Sequence, residues 1–69
     1  MKLNALYPKL SVDERKDLAQ KAGISPGYLH QIATRWKGKR ASLDVIQKLE
    51  DADGRLKRKD LVAEFMEAA

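Results

Sequence analysis

At 69 residues the chain makes one domain, 1–69, with a modest core and no room for a second, so weak self-association is expected on energetic grounds. The absence of cysteine excludes disulfides and thiolate metal sites and points to a reducing cytoplasm. The opening MKLNALYPKL lacks the apolar run of a signal peptide and no stretch of about 18 apolar residues occurs, so a soluble protein with no membrane partner is expected.

Leu3, Leu6, Tyr7 and Leu10 fall at i, i+3, i+4 and i+7, which predicts a first helix. Pro8 would remove a hydrogen bond and clash with the carbonyl of Asn4, so this helix should end or kink near Tyr7, itself a core or rim residue. Ser11-Val12-Asp13-Glu14 has the form of a capping box and opens a second helix. Asp13 and Glu14 in its first turn and Lys21 in its last complement the helix dipole, a sufficient structural reason for those charges.

Helix formers from Leu18 to Ala22 stop at Gly23, which takes the left-handed conformation without steric penalty, and Ile24 plugs the corner. Ser25 can cap the next helix, and Pro26 occupies its first position, where a missing N–H costs nothing. Leu29, Ile32, Ala33 and Trp36 then follow helical spacing and predict a buried seam that includes Trp36. Ala19 is small where the second helix must cross close by. Helix, glycine turn and capped helix make a helix-turn-helix over about residues 15–35.

Lys37-Gly38-Lys39-Arg40-Ala41 reads as a basic loop, and Ser42 as the cap of a fourth helix. That helix should bury Leu43, Val45, Ile46 and Leu49, expose Glu50, Asp51 and Asp53, and stop at Gly54. Leu56 is an anchor, and a last helix over about 58–67 carries Leu61, Val62, Phe65 and Met66 on one side. No alternating β-branched run appears, so the expected fold is all-α with about five short helices.

The charges are unevenly spread. All ten acidic residues lie in Asp13 to Asp17 or in Asp44 to Glu67, whereas Leu18 to Leu43 holds none and carries Lys21, Arg35, Lys37, Lys39 and Arg40. A polyanion-facing surface needs this asymmetry, because cations near phosphates release counterions and carboxylates would oppose them. Successive residues of the expected helix from Pro26 to Arg35 turn by roughly 100°, so Gly27, Gln31 and Thr34 point together with His30, Tyr28 and Arg35 on the flanks.

The expected base-reading set is Pro26, Gly27, Tyr28, His30, Gln31 and Thr34, with Gln31 foremost because glutamine pairs with the N6 and N7 edge of adenine. Arg15, Ser25, Arg35, Lys37, Lys39 and Arg40 are the expected phosphate contacts. Whatever remains exposed of Val62, Phe65 and Met66 would suit a dimer interface, which a reader of half-sites about 34 Å apart requires. His30, the only histidine, lacks the companions that metal binding or nucleophilic catalysis needs, and the carboxylates are explained by capping. No enzyme, cofactor, metal or small-molecule substrate is therefore expected.

The pattern LSVDERKDLAQKAGISPGYLHQIATRWKGKRAS, followed by LDVIQKLEDADG and KRKDL, resembles the Cro-like and YdaS-like small phage and prophage regulators from Leu10 to Leu61. The block GISPGYLHQIA is its most specific part. The resemblance implies a Cro/lambda-repressor-like fold and binding of double-stranded operator DNA as a homodimer in the cytoplasm of a bacterial cell or phage-infected host. It further implies a role as a Cro-type repressor or an antitoxin-like partner. The competing reading is an antitoxin-like or adaptor module that holds a protein partner through Trp36 or the last helix.

Overall fold

A computed structural model describes residues 1–66, which form α1 (Leu3–Leu6), α2 (Val12–Ala22), α3 (Pro26–Ala33), α4 (Leu43–Ala52) and α5 (Arg58–Phe65). Single 3-10 turns follow α1 at Tyr7–Lys9 and α3 at Trp36–Gly38, and no strand occurs among the described residues, so the fold is all-α. None of these helices is long and apolar enough to cross a membrane.

Three helices begin at serines in extended backbone, which leaves the hydroxyl free to accept from the third helical N–H. Ser11 accepts from the Glu14 amide at 3.2 Å while Glu14 Oε1 accepts from the Ser11 amide at 2.9 Å, completing the capping box. Ser25 and Ser42 accept from the Tyr28 and Val45 amides at 3.1 and 3.3 Å. The other two helices borrow their caps. The Arg58 amide donates to Glu50 Oε2 of α4 at 2.8 Å. At the start of α1, the Leu3 and Asn4 amides donate to the two oxygens of Glu64, on α5, at 2.7 and 3.0 Å.

Pro8 does shorten the first helix. The chain tightens into the 3-10 turn, closed by the Leu10 amide on the Tyr7 carbonyl at 3.1 Å, and Tyr7 is buried. α2 packs on α3 and α4, and α4 on α5. Their buried apolar side chains form one cluster, in which Leu3, Leu6, Leu29, Ile32, Ile46, Leu49, Leu56, Leu61 and Phe65 are almost wholly shielded. Ala19 is fully buried, and Leu56 is the anchor its position suggested.

Four expectations need correcting. Trp36 is 47 % exposed, because α3 ends at Ala33 rather than Arg35, with Thr34 as its cap and Arg35 left-handed, so helical spacing from Leu29 no longer applies. Leu43 is 52 % exposed, lying about 90° round α4 from the Ile46 and Leu49 stripe. Gly54 does not stop α4. The helix ends one residue earlier at Asp53, whose backbone is extended and whose carboxylate accepts from the Arg55 amide at 2.9 Å and its guanidinium at 2.7 and 3.1 Å. Finally, Phe65, expected at a dimer contact, is 1 % exposed and fills the chain's own core. The expected reach of the last helix to residue 67 lies outside the described residues.

Ser11's amide and hydroxyl hold the Glu14 carboxyl below the usual range, and the Arg55 guanidinium does the same for Asp53. A carboxylate whose folded pKa is depressed stabilises the fold above its unfolded pKa, and that contribution disappears as pH falls through the folded value. Unfolding midpoints in denaturant should therefore fall from neutrality into the carboxylate range, about pH 4 to pH 3. Glu14→Gln and Asp53→Asn should flatten the profile; an unchanged profile in the double variant would remove these two groups from the explanation.

Candidate nucleic-acid interface

The corner between α2 and α3 is set by Gly23 at φ 71 and ψ 29. Its amide donates to the Gln20 carbonyl at 3.1 Å and the Ile24 amide to the Ala19 carbonyl at 3.0 Å, the paired closure of a Schellman ending. A Cβ at Gly23 would meet nothing within 4 Å, so glycine is required by the backbone angle alone. Ile24 packs half-buried against the core, and Ser25 then opens α3.

α3 divides cleanly. Leu29, Ile32 and Ala33 are buried, while Ser25, Pro26, Gly27, His30 and Thr34 are exposed and Gln31 is half-exposed beside them. The helical spacing places Gly27, Gln31 and Thr34 together on the outer face, as expected. Tyr28 is different. It is half-buried against the core, which leaves only part of its ring for any contact. The Thr34 hydroxyl donates to the His30 carbonyl at 2.8 Å and finishes the helix.

Beyond Thr34 the backbone is unusual. Arg35 and Lys37 have φ of 55 and 52, and Gly38 has 74. Left-handed backbone is natural for glycine but costs an L-residue with a Cβ roughly 1–2 kcal/mol. The turn carries Lys37, Lys39 and Arg40 outward in exposed positions directly after the exposed α3 face, and Lys37 Nζ lies 4.5 Å from the centre of the Trp36 indole.

What marks this loop is the clustering of its cations, since Lys2, Lys9, Lys16, Lys57 and Lys59 elsewhere also have no carboxylate within 4.0 Å among the described residues. The ion pairs among the described residues lie elsewhere: Lys21 with Asp17 at 3.0 Å, Lys48 with Asp44 at 3.2 Å, Arg55 with Asp53 at 2.7 Å, and the Met1 amino group with Asp60 at 2.6 Å. Among the described residues, Arg35, Lys37, Lys39 and Arg40 have no carboxylate within 4.0 Å. Of the five cations in the acid-free window, Lys21 is thus paired with Asp17, and the other four have no carboxylate partner among the described residues.

Two expected phosphate contacts serve the fold. Arg15 Nε donates to the Tyr7 carbonyl at 3.1 Å and its guanidinium stacks 4.2 Å from the Tyr7 ring centre. Arg35 is half-buried with its guanidinium 5.1 Å from the Phe65 ring centre. Both are tied inward, unlike Lys37, Lys39 and Arg40. Of the expected dimer residues, Val62 is half-buried and Met66 is 40 % exposed.

One residue of this neighbourhood was not foreseen as part of it. The Tyr7 hydroxyl lies 3.2 Å from His30 Nδ1, with ring centres 5.9 Å apart, so a core residue from the first turn reaches the exposed face of α3. Sequence offers little signal for this contact, because the partners are 23 positions apart. No protein-family model matches the chain, and no curated protein or solved structure matches it either.

Proposed function

We propose that this chain is a sequence-specific DNA-binding regulator of the Cro-type phage or prophage repressor class, cytoplasmic, reading operator DNA in the major groove with α3. The observation that carries the reading is the pairing of an acid-free outer face on α3 with the unneutralised cations of the adjoining loop. A helix of this width fits the major groove, and exposed cations at its end gain affinity by displacing counterions from phosphates. Gln31, Gly27, His30 and Thr34, with the outer edges of Pro26 and Tyr28, meet base edges. Ser25 with the free N–H groups of α3, and Lys37, Lys39 and Arg40, meet phosphates, which position without selecting. Pairing of two copies, weak in the absence of DNA, uses Val62 and Met66 but not Phe65.

A second reading draws on the exposed Trp36 and Leu43, at 47 % and 52 %. Large apolar side chains facing water suit an antitoxin-like or adaptor module that holds a protein partner. Gel retardation across a salt series separates the two. The regulator prefers a selected site over random duplex; the module shows no such preference.

Within the DNA reading, Gln31→Ala relaxes base preference at one position of the selected site. Lys39→Ala weakens every duplex alike and lowers the slope of log affinity against log salt by about one. Equal effects of both substitutions on all sequences would overturn this division.

A further inference from the structure

Tyr7 has a polar tip with one protein partner. Its ring is packed inside the domain at 8 % exposure and is held on one side by Arg15, which stacks on it at 4.2 Å and bonds its carbonyl at 3.1 Å. Its hydroxyl meets His30 Nδ1 at 3.2 Å. A phenol has one proton to donate, and Nδ1 is the one acceptor bonded to it among the described residues. An imidazole protonated on Nδ1 would donate to the phenol oxygen and leave the O–H without a protein acceptor among the described residues, a loss that partial burial makes costly. A proton on Nε2 instead leaves Nδ1 free to accept that O–H, because the hydrogen bond at one nitrogen decides where the proton sits on the other.

We infer that Tyr7 is a positioning residue that fixes His30 with its proton on Nε2, and that this N–H donates to the acceptor edge of a guanine. His30 is exposed on the outer face of α3, so the fixed donor is available to a ligand. Guanine offers two acceptors in the major groove, N7 and O6, whereas adenine sets an N6 donor beside its N7 and cytosine presents a donor. A locked N–H favours the first and opposes the last. The inference rests on the DNA reading above for the identity of the ligand, but the tautomer itself does not depend on it.

Two measurements on the full chain test the steps separately. Long-range proton–nitrogen NMR correlation without DNA, with the imidazole neutral, should show the Nε2-protonated pattern in the wild type and a mixture of tautomers in Tyr7→Phe. That substitution keeps the ring and its stacking on Arg15, and circular dichroism checks that the fold is retained. Selection from a random duplex library with wild type, Tyr7→Phe and His30→Ala should yield one guanine position whose preference falls about three- to tenfold in both variants. The other positions and the salt slope should stay put, which a merely structural role for Tyr7 would not leave unchanged. Replacing that guanine by 7-deazaguanine should weaken wild type and leave His30→Ala unaffected.

An Nδ1-protonated ring in the wild type overturns the positioning step, as does a Tyr7→Phe protein that keeps every base preference. A wild type that selects no sequence overturns the DNA reading and the guanine contact with it; the NMR result, which needs no DNA, tells that failure apart from failure of the tautomer lock.

Discussion

Glu64→Ala is expected to lower the unfolding free energy by about 3 kcal/mol and the thermal midpoint by roughly 10–25 °C. Glu64 is 6 % exposed and accepts from the amides of Leu3 and Asn4 at 2.7 and 3.0 Å. α1 has no side-chain cap of its own, so removing the carboxylate strands one buried and one partly buried N–H together. A bond to a charged acceptor is worth about 1.5–3 kcal/mol, and an unmet buried donor costs about 1–3 kcal/mol. For a domain this small, that is a large share of the total stability of about 5–15 kcal/mol typical of folded proteins. Glu64→Gln, which keeps one acceptor oxygen, should fall between. Trp36, the single tryptophan, and circular dichroism together report the transition. A loss below about 1 kcal/mol in the alanine variant would show that α1 does not depend on this cap.

Lys37→Gly is expected to act in opposite directions on folding and on DNA. Lys37 sits at φ 52 and ψ 31, where a Cβ costs roughly 1–2 kcal/mol, while glycine returns about 0.5–1 kcal/mol to the unfolded chain as entropy. The net gain in unfolding free energy is about 0.5–1 kcal/mol. On the DNA reading proposed above, duplex affinity should nevertheless drop for all sequences, with the salt slope shallower by about one, because one cation is gone from the loop. Backbone strain clusters where it is retained for function, and a more stable protein with weaker DNA binding is what that retention predicts. Denaturant titration and retardation at several salt concentrations measure the two halves. A variant that loses both stability and affinity would mean that the loop depends on the lysine side chain for its shape.

The elements that could be read from the chain were those whose causes are local. Ser11, Ser25 and Ser42 cap within three residues of themselves, and Gly23 turns the chain by its own dihedral angle. The seam of Leu29 and Ile32 follows from helical spacing, as does the outward face of Gly27, Gln31 and Thr34. Helical periodicity does not carry past a helix end: Trp36 lies beyond the left-handed Arg35. Leu43, on the first turn of α4, falls outside the stripe that packs. Gly54 has the residue type of a helix stop, but Asp53 and Arg55 supply the turn between them. Distant contacts had no local signature. Arg15 on Tyr7, Tyr7 on His30 and Glu64 on α1 pair residues 8, 23 and about 60 positions apart, and they decide which polar side chains remain free for a ligand.

The Glu64 bond to Leu3 spans 61 positions of sequence, which gives it a meaning in time as well as in space. During synthesis, at about 5–20 residues per second, α1 has no acceptor for its leading amides until Glu64 has been added and has cleared the ribosome. α1, made before α5, is therefore finished only after it. A nascent chain stalled between α4 and α5 should leave Leu3 and Asn4 open to rapid amide exchange, with protection arriving only after the downstream glutamate has emerged.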